Sequence, residues 1–320
     1  MKLHFQLSCP RIVFLGLCLL ATDVARSADT DTKTAHNKPL VKTTHVYKTV
    51  GDVKLDLSIQ LPEGWKPTDQ RPAIVFFFGG GWTSGSPTQF ENQARYLASR
   101  GMVTMLADYR VKSRHNVKAA ACVADAKSAM RWVRANAVRL GIDPKKIAAG
   151  GGSAGGHLAA ATATLPGLDD PADDQGVSAV PNALVLFNPA LVLASVNGYD
   201  SQGFERGATA ERFGCPPEEI SPAHHVKAGV PPTIIFHGKS DTTVPYTSAE
   251  LFRERMTKAG NRCELSGAEG QAHGYFNFGK SGNRNALATL EEADRFLGSL
   301  GWLSGKPQVT EWFAAHPPTK

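Results

Sequence analysis

The sequence predicts an α/β fold with a mainly parallel central sheet, an antiparallel N-terminal hairpin and helices on both faces. Several continuous apolar runs of about five residues are typical of strands buried on both faces of a parallel sheet. Stretches of helical periodicity lie between these runs, and a strictly alternating segment near the start predicts a strand of a hairpin. With 320 residues, 42% of them hydrophobic, the chain is long enough to fill the core of one large domain.

The individual elements follow in chain order. The hairpin is predicted at 46–50 and 53–61, because apolar residues alternate along the second segment and Gly51-Asp52 separates the two. Further strands are predicted at 73–78, 103–107, 146–150, 183–187, 233–237 and 262–265. Helices are predicted at 89–99, 117–140, 154–165, 248–258 and 285–300. Repeated strand–helix units place the ligand crevice at the carboxyl ends of the strands, so we expect catalytic residues just after strands.

The N-terminus predicts an export signal. Lys2 and Arg11 precede an apolar run at 12–20, and small residues at 25–28 are typical of a cleavage site. We therefore interpret residues 1–28 as a signal peptide and expect a secreted or periplasmic protein. The apolar run is too short to span a bilayer comfortably, so no stable membrane anchor is expected.

The rest of the chain divides into four predicted regions. Polar residues 29–43 are predicted to form a disordered leader, and residues 44–304 the catalytic domain. Within this domain, residues 191–226 are a small irregular insert. Residues 305–320 contain three prolines and are predicted to form a loosely docked tail.

Charge and cysteine content argue against several function classes. The net charge is +6, and residues 1–28 contain three basic residues and one acidic residue, so the remainder carries +4. This mild, unclustered charge lacks the basic stripe of a nucleic-acid-binding protein. No C-x-x-C pair or His/Cys cluster has zinc-ligand spacing, so we expect no metal and no cofactor. Cys122, Cys215 and Cys263 permit at most one intrachain disulfide, and the sequence leaves that pairing and the oligomeric state open.

The segment Gly151–Gly155 is a G-x-S-x-G pentapeptide centred on Ser153. It lies between a predicted strand and a predicted helix, where glycines permit a sharp, strained turn. Such a turn exposes the serine hydroxyl above the sheet, beside the first amides of the helix. A phosphate-binding loop is the alternative, but the segment lacks the lysine and the spacing of a P-loop.

Two downstream residues complete a candidate triad. Asp241 and His273 each follow a strand, and their order after Ser153 predicts a nucleophile, an acid and a base. Taken singly, Asp241 could equally be a turn residue and His273 a surface histidine. Less suitable candidates are His157, which shares the helix of the serine, and Asp169, Asp170, Asp173, Asp174, Asp200, His224, His225 and His237.

A glycine-rich loop follows the strand predicted at 73–78. We expect the amides of Gly80 and Gly81, together with that of Ala154, to form an oxyanion hole, because glycines let backbone N–H groups approach a substrate closely. Trp82 ends this loop, and two interpretations of it remain open: a substrate-binding ring that stacks on a sugar or aromatic group, or a core residue.

Together, these motifs resemble those of α/β-hydrolase serine esterases, in the branch of bifunctional feruloyl/acetyl-xylan esterases and hormone-sensitive-lipase-like carboxylesterases. The similarity extends from about 46 to 300, and its motifs lie at 79–82, 108–110, 125–134, 151–157, 237–241 and 272–274. The resemblance implies an α/β-hydrolase fold with Ser153, Asp241 and His273 as the triad. Phe78 stands where this family usually has histidine, so we expect different hydrogen bonding around the glycine loop.

The expected activity is hydrolysis of short-chain acyl esters by a two-step acyl-enzyme mechanism. Export and the resemblance favour carbohydrate-linked substrates, namely acetyl or feruloyl esters of plant polysaccharide. An arylformamidase and a prolyl-oligopeptidase-like peptidase are alternative enzymes with the same triad. An alternative of another class is a non-catalytic binding protein with the hydrolase fold.

Overall fold

The computed structural model describes residues 41–196 and 208–319, together with Met1. Apart from Met1, these residues belong to one compact unit that spans Pro39–Lys320. Residues 2–28 of the predicted signal peptide, most of the predicted leader and Asp200 lie outside the described residues. Within the described part of the chain, no helix is both long and apolar enough to cross a membrane.

An eight-stranded sheet with the order β1-β2-β4-β3-β5-β6-β7-β8 forms the centre of the domain. Its strands are β1 Val41–Val50, β2 Val53–Leu61, β3 Arg71–Phe77, β4 Val103–Ala107, β5 Ile142–Gly152, β6 Ala183–Phe187, β7 Thr233–Gly238 and β8 Cys263–Ala268. Strand β2 runs antiparallel to β1 and β4, whereas every other pair is parallel. The predicted fold class is confirmed.

Helices cover both faces of this sheet. They are α1 Glu91–Ser99, α2 Lys112–His115, α3 Ala119–Ala135, α4 Ala154–Thr164, α5 Ala210–Phe213, α6 Pro217–Ile220, α7 Tyr246–Lys258, α8 Arg284–Ser299 and α9 Val309–Ala315. Short 3-10 segments lie at Pro87–Phe90, Pro222–His225 and Ser281–Asn283.

Two apolar layers, one on each face, explain the continuous apolar runs. In β3, Val75 and Phe77 enter the layer that contains residues of α3, α4 and α7. Ile74 and Phe76 enter the opposite layer, with residues of α1, α8 and α9. Because successive side chains of a strand point to opposite faces, both sets must be apolar when both faces are buried.

Several boundaries differ from the prediction, and two of these differences have a clear local cause. Strand β1 begins at Val41, three residues before the predicted domain start, because Val41 is paired with Leu61 of β2. Helix α3 ends at Ala135 rather than at residue 140. The Asn136 side chain donates to the Trp132 carbonyl at 2.8 Å, so it competes with the backbone for this helical acceptor.

The C-terminal tail is not the loosely docked extension that its prolines suggested. Helix α9 buries Val309 and Phe313, which are one helical turn apart and face the core. The Gln308 N–H donates to the Tyr96 hydroxyl at 3.0 Å. The Thr319 N–H donates to Asn92 Oδ1 at 2.9 Å. The prolines of the tail therefore lie before and after this short helix and do not prevent its formation.

Candidate active site

Ser153 occupies a strained turn between β5 and α4, with φ 52° and ψ −117°. A residue with a side chain rarely adopts this conformation, so the surrounding packing must impose it. A Cβ on Gly155 would lie 2.0 Å from the Phe77 carbonyl oxygen, and one on Gly151 would lie 2.5 Å from the same atom. Gly151 and Gly155 thus allow α4 to approach β3 closely enough to form the turn.

The structure brings the three predicted triad residues together. Ser153 Oγ lies 2.9 Å from His273 Nε2. His273 Nδ1 lies 2.7 Å from Asp241 Oδ2. Because the carboxylate accepts the Nδ1 proton, Nε2 is the ring nitrogen left to accept the proton of the serine hydroxyl.

The Asp241 carboxylate is buried and fully hydrogen-bonded. Its Oδ1 accepts from the backbone N–H groups of Thr243 and Val244, each at 2.9 Å. Burial by itself would raise the pKa of Asp241, but hydrogen bonds from His237, His273 and the Val244 N–H outweigh it and hold this pKa well below its usual value. Asp241 is therefore an anion that can orient His273.

Asn188 and His237 are further neighbours of the acid that were not predicted as site residues. Asn188 directly follows β6, is fully buried and donates from Nδ2 to Asp241 Oδ2 at 2.7 Å. His237 Nε2 lies 3.2 Å from the same oxygen and 2.8 Å from the Val244 carbonyl. The available signal for Asn188 was its position, since it is a polar residue immediately after a buried strand.

The glycine-rich loop is held at the peptide that joins Phe78 to Gly79. The Tyr109 hydroxyl donates to the Phe78 carbonyl at 2.6 Å, and the Gly79 N–H donates to Gln89 Oε1 at 2.6 Å. The Phe78 ring itself stacks on Tyr109, with 4.1 Å between ring centroids. Tyr109 and Gln89 thus hold the glycine loop in this protein, in which Phe78 replaces the histidine that the family usually has.

The amides of Gly80, Gly81 and Ala154 border the space beside Ser153. Gly80 and Gly81 have φ values of 124° and 62°, which favour glycine. Within residues 41–196 and 208–319, none of the three N–H groups donates to another protein group. Their oxyanion role stays a prediction, and their position beside the serine is compatible with it.

These groups surround a cleft of about 470 Å³. Its lining is Gly79, Gly80, Gly81, Trp82, Gln89, Ser153, Ala154, Ala190, Arg212, Thr243, Val244, His273, Gly274, Phe276 and Asn277. Arg212 belongs to α5 of the insert and donates from Nη2 to the Gly81 carbonyl at 3.2 Å. The insert therefore contacts the glycine loop directly.

Trp82 borders the cleft but is mainly a core residue. It is 3% exposed, and its Nε1 donates to His157 Nδ1 at 3.2 Å. The Arg212 guanidinium lies over its ring, 5.4 Å from the centroid, and Phe213 packs against it edge to face. The ring is thus not an open stacking platform, and its predicted substrate contact is restricted to a small exposed part.

The remaining candidates that the structure describes, in α4, in the insert and in the loop before β6, serve structural roles. His157 is buried, its Nε2 donates to the Ile220 carbonyl at 2.7 Å, and burial lowers its pKa to about 4. His224 and His225 contact backbone carbonyls of the insert. The loop that precedes β6 is bound to α3 and β1 through the ion pairs Lys127–Asp169, Arg131–Asp169, Arg131–Asp173 and Lys48–Asp170.

The described cysteines and potential metal ligands form no further site. Cys122, Cys215 and Cys263 are all free thiols. In the described part of the chain, no group of three His, Cys, Asp or Glu side chains is arranged to hold a metal ion.

Comparison with known families identifies the domain. The BD-FAE family profile matches residues 57–256, which is more than half of the chain. The chain belongs to the BD-FAE family. Within the α/β-hydrolases, this family lies in the hormone-sensitive-lipase-like branch, so the predicted resemblance is confirmed.

Known relatives of this BD-FAE domain are esterases. Esterase LipC of Mycobacterium tuberculosis is 32% identical over 241 residues, which cover 68% of this chain and 57% of LipC. Carboxylesterase NlhH of the same species is 28% identical, with 67% of this chain and 70% of NlhH covered. The apo structure of Thermogutta terrifontis esterase 2 is 56% identical, has a TM-score of 0.79 and matches 83% of this chain and 97% of that one. The described domain is a carboxylesterase domain.

Proposed function

We propose that the protein is an exported serine carboxylesterase that hydrolyses short-chain acyl esters through an acyl-enzyme on Ser153. The observation that carries this proposal is the continuous series of hydrogen bonds from Ser153 through His273 to Asp241. Beside Ser153 lie the N–H groups of Gly80, Gly81 and Ala154, which have no hydrogen-bond partner within the described residues. This arrangement contains a nucleophile, a base, an orienting anion and oxyanion donors, which are the groups that acyl transfer requires.

The proposed reaction has two steps. His273 Nε2 takes the proton of Ser153 Oγ as this oxygen attacks the ester carbonyl, while Asp241 holds the imidazole in the required tautomer. The resulting oxyanion accepts hydrogen bonds from Gly80, Gly81 and Ala154, and each such donor typically contributes about 3–4 kcal/mol to transition-state stabilisation. His273 then protonates the leaving alcohol and activates the water that releases the acid.

Two observations support a short acyl group and a polar alcohol. The cleft has a volume of only about 470 Å³, and Gln89, Thr243 and Asn277 add polar groups to a lining that is mixed polar and apolar. Thermogutta terrifontis esterase 2 has been solved with propionate and with butyrate bound. We propose acetyl or feruloyl esters of plant polysaccharide as the natural substrates, and the propionate and butyrate bound by the Thermogutta esterase favour the short acetyl group over the larger aromatic feruloyl group. The polar groups in the cleft lining and the family resemblance support this choice.

The decisive test compares the wild-type protein with Ser153→Ala on p-nitrophenyl acetate and butyrate. We expect the variant to lose about 10³-fold or more in kcat with an unchanged fold by circular dichroism, because loss of the nucleophile removes the acyl-enzyme route. Paraoxon should modify the wild-type chain at Ser153 and leave the variant unmodified, as measured by peptide mass spectrometry. Thermogutta terrifontis esterase 2 is known in a form phosphorylated by paraoxon.

Retention of activity by Ser153→Ala, or modification at another residue, would contradict the assignment. A wild-type protein without ester hydrolysis and without labelling would instead be a hydrolase-fold binding protein. Acetylated xylan, methyl ferulate and p-nitrophenyl esters of increasing length then define the substrate. Release of acetate or ferulate from polysaccharide supports the substrate proposal, and activity on N-formylkynurenine or peptide amides alone contradicts it.

Export is tested separately. Expression of the full chain followed by N-terminal mass analysis of the periplasmic and culture fractions should yield a mature protein that begins at Asp29. A protein that retains Met1 in the cytosolic fraction would contradict the proposed signal peptide.

A further inference from the structure

Gln89 lies in the 3-10 segment Pro87–Phe90, at the border of the cleft, and connects two loops of the site. Its Oε1 accepts from the Gly79 N–H at 2.6 Å. Its Nε2 donates to Asn277 Oδ1 at 2.9 Å, and Asn277 Nδ2 donates to the Gly274 carbonyl at 2.9 Å. Gly274 directly follows the base His273. Two side-chain amides thus form a chain of three hydrogen bonds between the oxyanion loop and the loop of the base.

The two ends of this chain determine the orientation of both amides. The group of Gly79 that faces Gln89 is its N–H, which can only donate. Gln89 must therefore present its oxygen to Gly79 and its NH₂ group to Asn277. The Gly274 carbonyl only accepts, so Asn277 must present its NH₂ group there and its oxygen toward Gln89. Flipping either amide would break two of the three hydrogen bonds, so the connection has one favourable arrangement.

The consequence for the oxyanion hole follows from the shared peptide. The Phe78 carbonyl and the Gly79 N–H belong to one peptide plane, and Tyr109 and Gln89 bind it from opposite ends. This plane is followed directly by the Gly79–Gly80 peptide, so its orientation influences where the Gly80 N–H points. The Gly81 N–H belongs to the next peptide, whose Gly80 carbonyl accepts from the Thr83 and Ser84 N–H groups at 3.0 and 3.1 Å. Loss of the Gln89 acceptor would leave the plane held only at its Tyr109 end, which lets it tilt and misplace the Gly80 donor, a group that must lie about 3 Å from the oxyanion.

We propose that Gln89 is a positioning residue that, through Asn277, keeps the oxyanion loop and the loop of the catalytic base in register with each other. This inference rests on the proposed function of Ser153 and His273. It names side chains that hold the predicted oxyanion donors in place without touching the reacting atoms.

The test uses Gln89→Leu, with Gln93→Leu as a matched control. Gln93 is a buried glutamine of α1, and neither atom of its amide has a hydrogen-bond partner within the described residues. For Gln89→Leu we expect kcat on p-nitrophenyl butyrate to fall by about 10- to 100-fold with KM changed less than about threefold, because loss of an interaction realised in the transition state lowers kcat. Gln93→Leu should retain wild-type kcat. Both variants are checked for folding by thermal unfolding.

The pH dependence of kcat/KM in Gln89→Glu distinguishes a positioning role of Gln89 from a purely structural one. A protonated carboxyl can accept from Gly79 and donate to Asn277, whereas an ionised carboxylate can only accept. The ratio of kcat/KM of Gln89→Glu to that of the wild type should therefore rise by about threefold or more from pH 8 to pH 5. In a double-mutant cycle, Gln89→Leu should cost less in an Asn277→Leu background than alone, because the connection is already broken.

The proposal is overturned if Gln89→Leu keeps kcat within about twofold of the wild type, or if Gln93→Leu loses as much. It is also overturned if the activity ratio of Gln89→Glu is flat across this pH range. An inactive Ser153→Ala with a fully active Gln89→Leu removes only the role of Gln89. An active Ser153→Ala removes the proposed function itself.

Discussion

His157 shows how burial decides the role of a histidine close to a nucleophile. It lies one helical turn beyond Ser153, but its two ring nitrogens are engaged with Trp82 and the Ile220 carbonyl. The acceptor role of Nδ1 and the donor role of Nε2 require a neutral ring. His157 thus links the core of the domain to the insert and takes no part in the proposed proton transfer.

Stability should depend on pH through this residue. Burial lowers the pKa of His157 from 6.5 to about 4 in the folded protein. Between these two pH values the unfolded chain binds the additional proton, so the free energy of unfolding should decrease as pH falls from about 6.5 to 4, by about 3 kcal/mol in total. Urea unfolding at several pH values measures this change. His157→Gln preserves a donor and an acceptor without titrating in this range, so it should show a smaller pH dependence, and an equal dependence would contradict the assignment.

At the scale of an element, helix α4 can begin directly after the nucleophile because Gly151 and Gly155 lie at the contact between this helix and the sheet. Ser153, at the start of this helix, adopts a left-handed φ only because Gly151 and Gly155 permit contact with the Phe77 carbonyl. The helix is also apolar on most sides, as expected of a helix buried between the sheet and its neighbours. The strained turn is therefore a property of how β5, α4 and β3 pack together.

Gly155→Ala should destabilise the protein strongly. Its Cβ would meet backbone oxygens of Phe77 and Phe78 at 2.0 and 2.4 Å, and a backbone group cannot move aside cheaply. We expect the free energy of unfolding to fall by about 2–4 kcal/mol in denaturant titrations. Gly298→Ala in α8 is the matched control, since the nearest atom to its Cβ would be 3.8 Å away. This control should be neutral or stabilise by up to about 1 kcal/mol, and equal effects of the two variants would refute the packing argument.

At the scale of the whole molecule, the tail completes the apolar layer that contains α1 and α8. Phe313 of α9 packs against Phe278, with ring centroids 4.9 Å apart, and against Tyr96. Phe278 follows Asn277, the residue that connects Gln89 to the loop of the base. The C-terminal helix thus contacts the same loop through Phe278.

Phe313→Ala tests whether the tail belongs to the folded unit. The residue is 6% exposed, so its removal leaves a cavity and should lower the free energy of unfolding by about 3 kcal/mol. Thr310→Ala, on the exposed side of the same helix, should change it by less than about 0.5 kcal/mol. If the unfolding curve of Phe313→Ala coincides with that of the wild type, the tail does not contribute to stability.

The sequence alone determined the features that depend on near neighbours along the chain. Apolar runs predicted strands buried on both faces, flanking glycines predicted the turn at Ser153, and strand ends predicted the positions of Asp241 and His273. These predictions succeed because side-chain periodicity and glycine conformation act within a few residues. The boundaries of α3 and the helix within the tail were missed, because a capping side chain and a distant apolar layer decided them.

Only the tertiary structure decided which side chains meet across the sheet. Gln89 and Asn277 are 188 residues apart in sequence, and Asn188 reaches Asp241 across 53 residues. The same holds for Trp82, which became a core residue because Phe213 and Arg212 of the insert cover it. Such partners depend on strand order and register, which no local pattern specifies. The sequence therefore determined the fold class and the candidate triad, and tertiary packing decided what holds the oxyanion loop and the acid in place.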